Sequence, residues 1–225
     1  MQVVYEDNHI IIVNKAPGEI VQGDKTGDEP LVETVKRWIK EKYAKPGNVF
    51  LGVVHRLDRP VAGLVVFAKT SKALARMNEM FRNGEVKKTY WALTRNLPPK
   101  EEDRIIHYIT TTEKNNKSYA SLSPKNGAKE AILSYRHIGS SDRYNLLEVN
   151  LETGRKHQIR VQLAAIGCPI RGDLKYGDKR SNPDGSISLM ARRIQFVHPV
   201  SGKEIDVTAP LPDNNPLWQT FNSCY

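Results

Sequence analysis

Apolar residues recur along the chain with two different periods, and the change from one to the other marks out the elements. Residues 10–14, Ile-Ile-Ile-Val-Asn, form a continuous apolar run that predicts a short buried strand, closed by Ala16-Pro17-Gly18. Leu31, Val35, Trp38, Ile39 and Tyr43 fall at helical spacing with lysines between them and predict a helix over 31–43. Val53 to Leu57 reads as a strand stopped by Pro60, and Gly63 to Lys69 as a second, fully buried one. The clearest helix spans 71–83, with Ser71 as N-cap, Leu74, Met77 and Phe81 as its stripe, and Gly84 as its stop.

Lys87 to Thr94 alternates as a strand does, with Thr89, Trp91 and Leu93 on one face and Lys88, Tyr90 and Ala92 on the other. Residues 130–137 and 144–151 predict two strands joined across Gly139 to Asp142, while the polar stretch 113–129 reads as loop or hairpin tip. A helix is expected over 157–166, with Ile159, Leu163 and Ile166 inward, ended by Gly167 and Pro169. Residues 172–186 are turn-rich, 187–197 and 204–208 read as strands, and a short helix is expected near Leu217 to Phe221. Strands outnumber helices and do not alternate with them regularly. The expected class is therefore α+β with a mixed sheet rather than a doubly wound one.

At 225 residues the chain can bury a substantial core, as one large domain or two packed halves. Its longest apolar runs fall far short of the ~20 residues of a spanning helix, and no secretory signal is visible, so no membrane partner is expected. Two cysteines, Cys168 and Cys224, allow neither a disulfide framework nor a paired-cysteine zinc site, which fits a reducing cytoplasm. The formal net charge of +9 favours a polyanionic partner, nucleic acid above all, although a solvated basic surface would give the same figure. Nine basic and three acidic residues lie between His55 and Arg95, so much of the excess surrounds two of the clusters described next.

His55-Arg56-Leu57-Asp58-Arg59 is the densest cluster. In an extended chain Arg56 and Asp58 share one face and His55 and Leu57 the other. An aspartate between two arginines is kept ionised and can serve as a nucleophile, or equally as a structural ion pair or cap at a strand end. Thr153 to Arg160 forms a second cluster, with His157, Arg160 and Ala164 on one face of the expected helix. That face is either an anion site at a helix start or a solvated basic surface. Lys87-Lys88-Thr89-Tyr90-Trp91 sets basic residues beside aromatics, as nucleic-acid stacking requires, though a strand tyrosine also serves as a core residue. No phosphate loop, dinucleotide fingerprint or serine elbow is present, and His9, His107, His137 and His198 are scattered singly, so neither cofactor nor metal is expected.

These clusters, in this order, resemble the RluA-type family of RNA pseudouridine synthases. The likeness rests on His55-Arg-Leu-Asp58-Arg with Gly63-Leu-Val-Val-Phe-Ala-Lys-Thr70, on Lys88-Thr-Tyr90-Trp-Ala92, and on Gly154-Arg-Lys-His-Gln-Ile-Arg160. Tyr5-Glu-Asp-Asn-His9, Asn14-Lys-Ala-Pro-Gly18, Gly172-Asp-Leu-Lys-Tyr-Gly177 and Ala191 to Pro199 extend it over nearly the whole chain. The chain departs from the family pattern at Val61-Ala62, where Ser often precedes the glycine, and at Lys15-Ala16-Pro17-Gly18, where Lys-Pro-x-Gly is usual.

The resemblance implies a largely antiparallel sheet in two halves, flanked by helices, with a basic cleft between the halves. It implies a single catalytic domain over 1–225, with no N-terminal S4-type RNA-binding domain. Asp58 would be the nucleophile, Tyr90 would lie against the target base and act as general base, and Arg160 would pair with Asp58. Arg56 would fill the space left by a flipped base, with Lys88 and Arg155 as further RNA contacts. The expected activity is isomerisation of uridine to pseudouridine in structured ribosomal or transfer RNA by a cytoplasmic monomer. A non-catalytic RNA-binding protein on the same fold, and a metal-dependent nuclease using His55 and Asp58, are the competing readings.

Overall fold

The computed structural model describes residues 1–213 and 215–224. In chain order the strands and helices are β1 (Gln2–Glu6), β2 (Ile10–Lys15), α1 (Leu31–Lys42), β3 (Gly52–Val53), β4 (Ala62–Ala68), α2 (Ser71–Asn83), β5 (Lys87–Thr94), β6 (Glu102–Thr112), β7 (Lys117–Ser121), β8 (Lys129–Ser140), β9 (Asn145–Leu151), α3 (Gln158–Ala165), β10 (Leu189–Val197), β11 (Glu204–Thr208) and α4 (Pro216–Gln219). Among the described residues no helix is long and apolar enough to cross a membrane. The class is α+β, with antiparallel pairing in each of two compact units.

The first unit comprises Met1–Val86 and Arg193–Ala209. Here β2 pairs with β1 on one side and β4 on the other, β3 pairs with β4, and the last five residues of β10 pair with β11. Ile10 to Val13 and Leu64 to Ala68 are buried on both faces, which is why each reads as an unbroken apolar run rather than an alternation. Leu31, Val35 and Ile39 supply the inner stripe of α1, with Glu33 in its first turn and Lys40 and Lys42 in its last, as the helix dipole favours.

Two expectations are corrected in this unit. The N-cap of α2 is Thr70 rather than Ser71: the Thr70 hydroxyl accepts from the Ala73 amide at 3.1 Å. Gly84 does end the helix, in the left-handed conformation that a side chain resists. The strand expected over 53–57 stops at Val53. Its ladder runs Gly52 opposite Ala68 and Val53 opposite Phe67, and the next partner would be Val66. The Val66 amide instead donates to the imidazole Nε2 of His55 at 3.0 Å, so a side chain takes the place of the next backbone pairing.

The second unit comprises Lys87–Arg192 and Pro210–Tyr225. Its strands run β5, β9, β8, β6, β7, each antiparallel to the next. Trp91 to Leu93, Leu133, Tyr135, Leu146, Leu147 and Val149 form its core. The polar stretch 113–129 is a turn only at its ends: Asn116 takes a positive φ at the hairpin tip, and β7 follows directly. α3 lies against β6 and β7, where Val161 packs with Ile109, Ala131 and Tyr176.

Candidate active site

In the first unit, Asp58 sits at the head of a tight turn in which the Val61 amide donates to the Asp58 carbonyl at 3.0 Å. Leu57 anchors the turn by burial, and Arg56 points into solvent. His55, the remaining anchor, stacks on Phe81 with ring centroids 4.9 Å apart. Its Nε2 already accepts the Val66 amide, which leaves that nitrogen no lone pair for a metal and weakens the nuclease reading.

The two arginines beside Asp58 do not act as a pair. Arg59 turns toward the 24–28 loop, where it meets Asp28 at 2.6 Å, Thr26 at 2.7 Å and Asp24 at 3.5 Å. Lys15, only 1% exposed, brings a cation to the inner side of the turn. Its ammonium donates to the carbonyls of Ala16, Glu19 and Arg59 at 3.0, 2.8 and 3.1 Å. The Gly18 amide donates to the same Arg59 carbonyl at 2.8 Å. Gly18 has φ +89, a conformation open to glycine and strained for other residues. The Lys15-Ala-Pro-Gly18 segment thus clamps the turn that carries Asp58. The sequence signal for Lys15 is a lysine closing the strand that holds the apolar run Ile10 to Val13.

Burial pushes the Lys15 ammonium down from 10.5 to about 8, opposed by the Glu19 and Asp58 carboxylates and aided by Arg59. In the unfolded chain the lysine keeps its proton to higher pH. Between about 8 and 10.5 the unfolded state therefore binds more protons, and stability rises with pH. The stabilising contribution is complete above the unfolded value and is lost as pH falls through the folded one. The melting temperature of the wild type minus that of Lys15→Met should climb across this window. A difference that stays flat would show Lys15 to be charged in the fold throughout.

In the second unit, Tyr90 lies on β5 opposite Val149 and is 7% exposed. Lys88, two residues earlier, is half-buried, and burial lowers its pKa. Its Nζ lies 3.8 Å from the position a Cβ would take on Gly154, so two of the sequence clusters meet here. Arg155 is exposed and its Nε donates to the Glu130 carbonyl at 2.8 Å.

Of the two readings of the 157–166 helix face, an anion site or a solvated basic surface, the solvated one is corrected. His157, Gln158, Arg160 and Gln162 are all buried, beside Ile159, Val161 and Leu163. Each of these four side chains has a hydrogen-bond partner, although the Gln162 Oε1 atom has none among the described residues. Gln158 accepts from the Thr153 hydroxyl and the Arg155 amide, both at 2.8 Å. Gln162 donates to the Ala131 carbonyl at 3.1 Å. Arg160 donates through Nε and Nη2 to the two carboxylate oxygens of Asp173 at 2.7 and 2.9 Å. Asp173 lies in the Gly172 to Gly177 motif, and nothing local in the sequence ties it to residue 160.

A model of the RNA pseudouridylate synthase family matches residues 9–165. The chain is 31% identical over 227 residues to the ribosomal large subunit pseudouridine synthase D of Zymomonas mobilis, covering 96% of this chain and 71% of that one. It is 30% identical over 240 residues to the tRNA pseudouridine synthase C of Vibrio parahaemolyticus, covering 97% and 92%. Among solved structures, human RNA pseudouridylate synthase domain containing 4 shares the fold with a TM-score of 0.78 at 24% identity, over 94% of this chain and 89% of that one. With its motifs, its α+β architecture and a family match that spans Asp58, Tyr90 and Arg160, the chain belongs to the RluA-type RNA pseudouridine synthases, which are RNA isomerases.

Proposed function

We propose that this chain converts specific uridines of structured ribosomal or transfer RNA to pseudouridine, with Asp58 as nucleophile. The observation that carries the reading is the family match over 9–165, the interval holding all three motifs in order. The names of the two relatives, one for ribosomal and one for transfer RNA, support both substrate classes.

In a helix the C5 and C1′ atoms of uridine are enclosed by stacking and pairing, so the base is flipped out before reaction. Asp58 attacks the nucleoside, the N1–C1′ bond breaks, the uracil turns, a C5–C1′ bond forms, and the bond to Asp58 breaks to return the free carboxylate. The C5 proton is removed and a proton ends on N1, so product and substrate have the same composition. Tyr90 lies against the base and takes the C5 proton. Arg160 serves as the cationic partner of Asp58. Arg56, exposed in the turn, fills the space that the flipped base leaves, and Lys88 and Arg155 meet phosphates. The reaction is neutral in redox and transfers no phosphate, so it calls for no cofactor or metal. The protein acts on RNA as a cytoplasmic monomer.

The direct test is to incubate the protein with ribosomal and transfer RNA from a strain lacking it and to map new pseudouridines. Site-specific formation in one RNA is the expected result. RNA binding without conversion of any uridine would favour the non-catalytic reading.

Affinity should fall steeply with salt, because each phosphate contact on single-stranded RNA contributes about −0.7 to the slope of log K against log salt. Arg155→Ala and Lys88→Ala should each weaken binding to all RNAs alike and make that slope shallower by roughly one contact. An unchanged slope in filter-binding titrations would remove that residue from the phosphate contacts.

A further inference from the structure

We propose that Asp173 and Tyr176 are positioning residues for the isomerisation, acting through Arg160; this rests on the reading above, in which Arg160 serves Asp58. Both belong to Gly172-Asp-Leu-Lys-Tyr-Gly177, a segment whose chemistry the function has not used so far.

Arg160 is held on two sides. The edge of its guanidinium meets the Asp173 carboxylate through two hydrogen bonds, in a pair whose side chains are 7% and 1% exposed. Its Cζ lies over the Tyr176 ring, 5.0 Å from the centroid. Bidentate pairing fixes the plane of a guanidinium, and a ring beneath its carbon attracts the cation and limits its swing. A buried ion pair of this kind adds little net stability over apolar packing, so orientation is the property that it chiefly supplies.

The holders are themselves held. The Tyr176 hydroxyl accepts the Ser118 amide at 2.8 Å and lies 2.8 Å from His157 Nδ1. Burial pushes the Tyr176 phenol up, so it stays protonated and able to donate. His157 opens α3 with φ 54 and ψ 23, a left-handed conformation uncommon for a residue with a side chain. Asp173 is set by a turn in which the Gly172 amide donates to the Asp178 carboxylate at 2.6 Å. A Cβ on Gly172 would stand 2.7 Å from the Ser186 carbonyl oxygen, so no side chain fits there. Backbone, ring and carboxylate together leave the Arg160 side chain one placement, which is the preorganisation that an electrostatic partner of a nucleophile requires.

The test uses the full chain with Tyr176→Phe and Asp173→Asn, each alone and combined with Arg160→Lys. Single-turnover conversion, RNA affinity and melting temperature are measured on the same preparations. Tyr176→Phe should keep RNA affinity within about twofold and slow conversion about tenfold. Asp173→Asn should approach the ~100-fold loss that a misplaced catalytic group can cause. With Arg160→Lys already present, neither should add a further loss, because both act through that guanidinium. Should Asp173→Asn fail to fold, Tyr176→Phe with and without Arg160→Lys still decides. A lowered melting temperature with an undiminished rate would leave these residues purely structural and overturn the proposal. So would full, independent losses in the Arg160→Lys background. A wild-type protein that converts no uridine would overturn the functional reading and this proposal with it.

Discussion

Asp58→Asn is expected to abolish pseudouridine formation while leaving the fold and RNA affinity intact. The substitution keeps the shape of the side chain and removes only the anion that attacks the nucleoside. Loss of a covalent nucleophile elsewhere costs several orders of magnitude, so a fall of ~10⁴-fold or more in the single-turnover rate is anticipated. The backbone hydrogen bond of the turn, from the Val61 amide to the Asp58 carbonyl, does not use the carboxylate and survives the change. Nor does the loss of a negative charge weaken attraction to a polyanion; binding at low salt should be equal or slightly tighter. Lys15, which feels the Asp58 carboxylate, would keep its three carbonyl acceptors. Full single-turnover activity in the Asn variant would show that the nucleophile lies elsewhere.

Tyr90→Phe is the second large effect. The ring sits on β5 at 7% exposure, so its packing against the strand core survives the change. What disappears is the hydroxyl proposed to take the C5 proton, and positioned acid–base groups contribute typically 10²–10⁴-fold. The expected outcome is RNA affinity within about twofold of wild type and turnover reduced ~100-fold or more. Accumulation of a covalent RNA–protein adduct in this variant, seen as a shifted band in a denaturing gel, would place the defect after attack by Asp58. Wild-type turnover would reduce Tyr90 to a packing residue.

The motifs around Asp58, Tyr90 and Arg160 could be read from the chain because each is a run of neighbouring residues. The apolar runs of β2 and β4 and the stripe of α1 could be read for the same reason: burial on one or two faces writes a local period. β6 carried such a period too, with Ile105, His107 and Ile109 buried, but the histidine and the polar flanks concealed it. β7 carried almost none, since only Ser118 of its five residues is buried. Its strand character comes from the β6 hydrogen bonds that it completes.

By itself, then, the sequence determined which residue types cluster, in what order, and hence the family and the class of chemistry. It also determined the class of fold. Tertiary structure alone decided which charged groups meet. Arg59, adjacent to Asp58 in sequence, is drawn to Asp24 and Asp28, whereas Lys15, far from Asp58 in sequence, turns inward and ties the Arg59 carbonyl. Arg160 finds Asp173 across a helix and a turn, and Tyr176 beneath it. For Lys15 and Arg160, which are buried, the physical reason is desolvation. A charge taken out of water must be met at hydrogen-bond distance, and which partner can reach it depends on the path of the backbone between them. Spacing along the chain records the groups that are available; only the folded backbone brings them into contact.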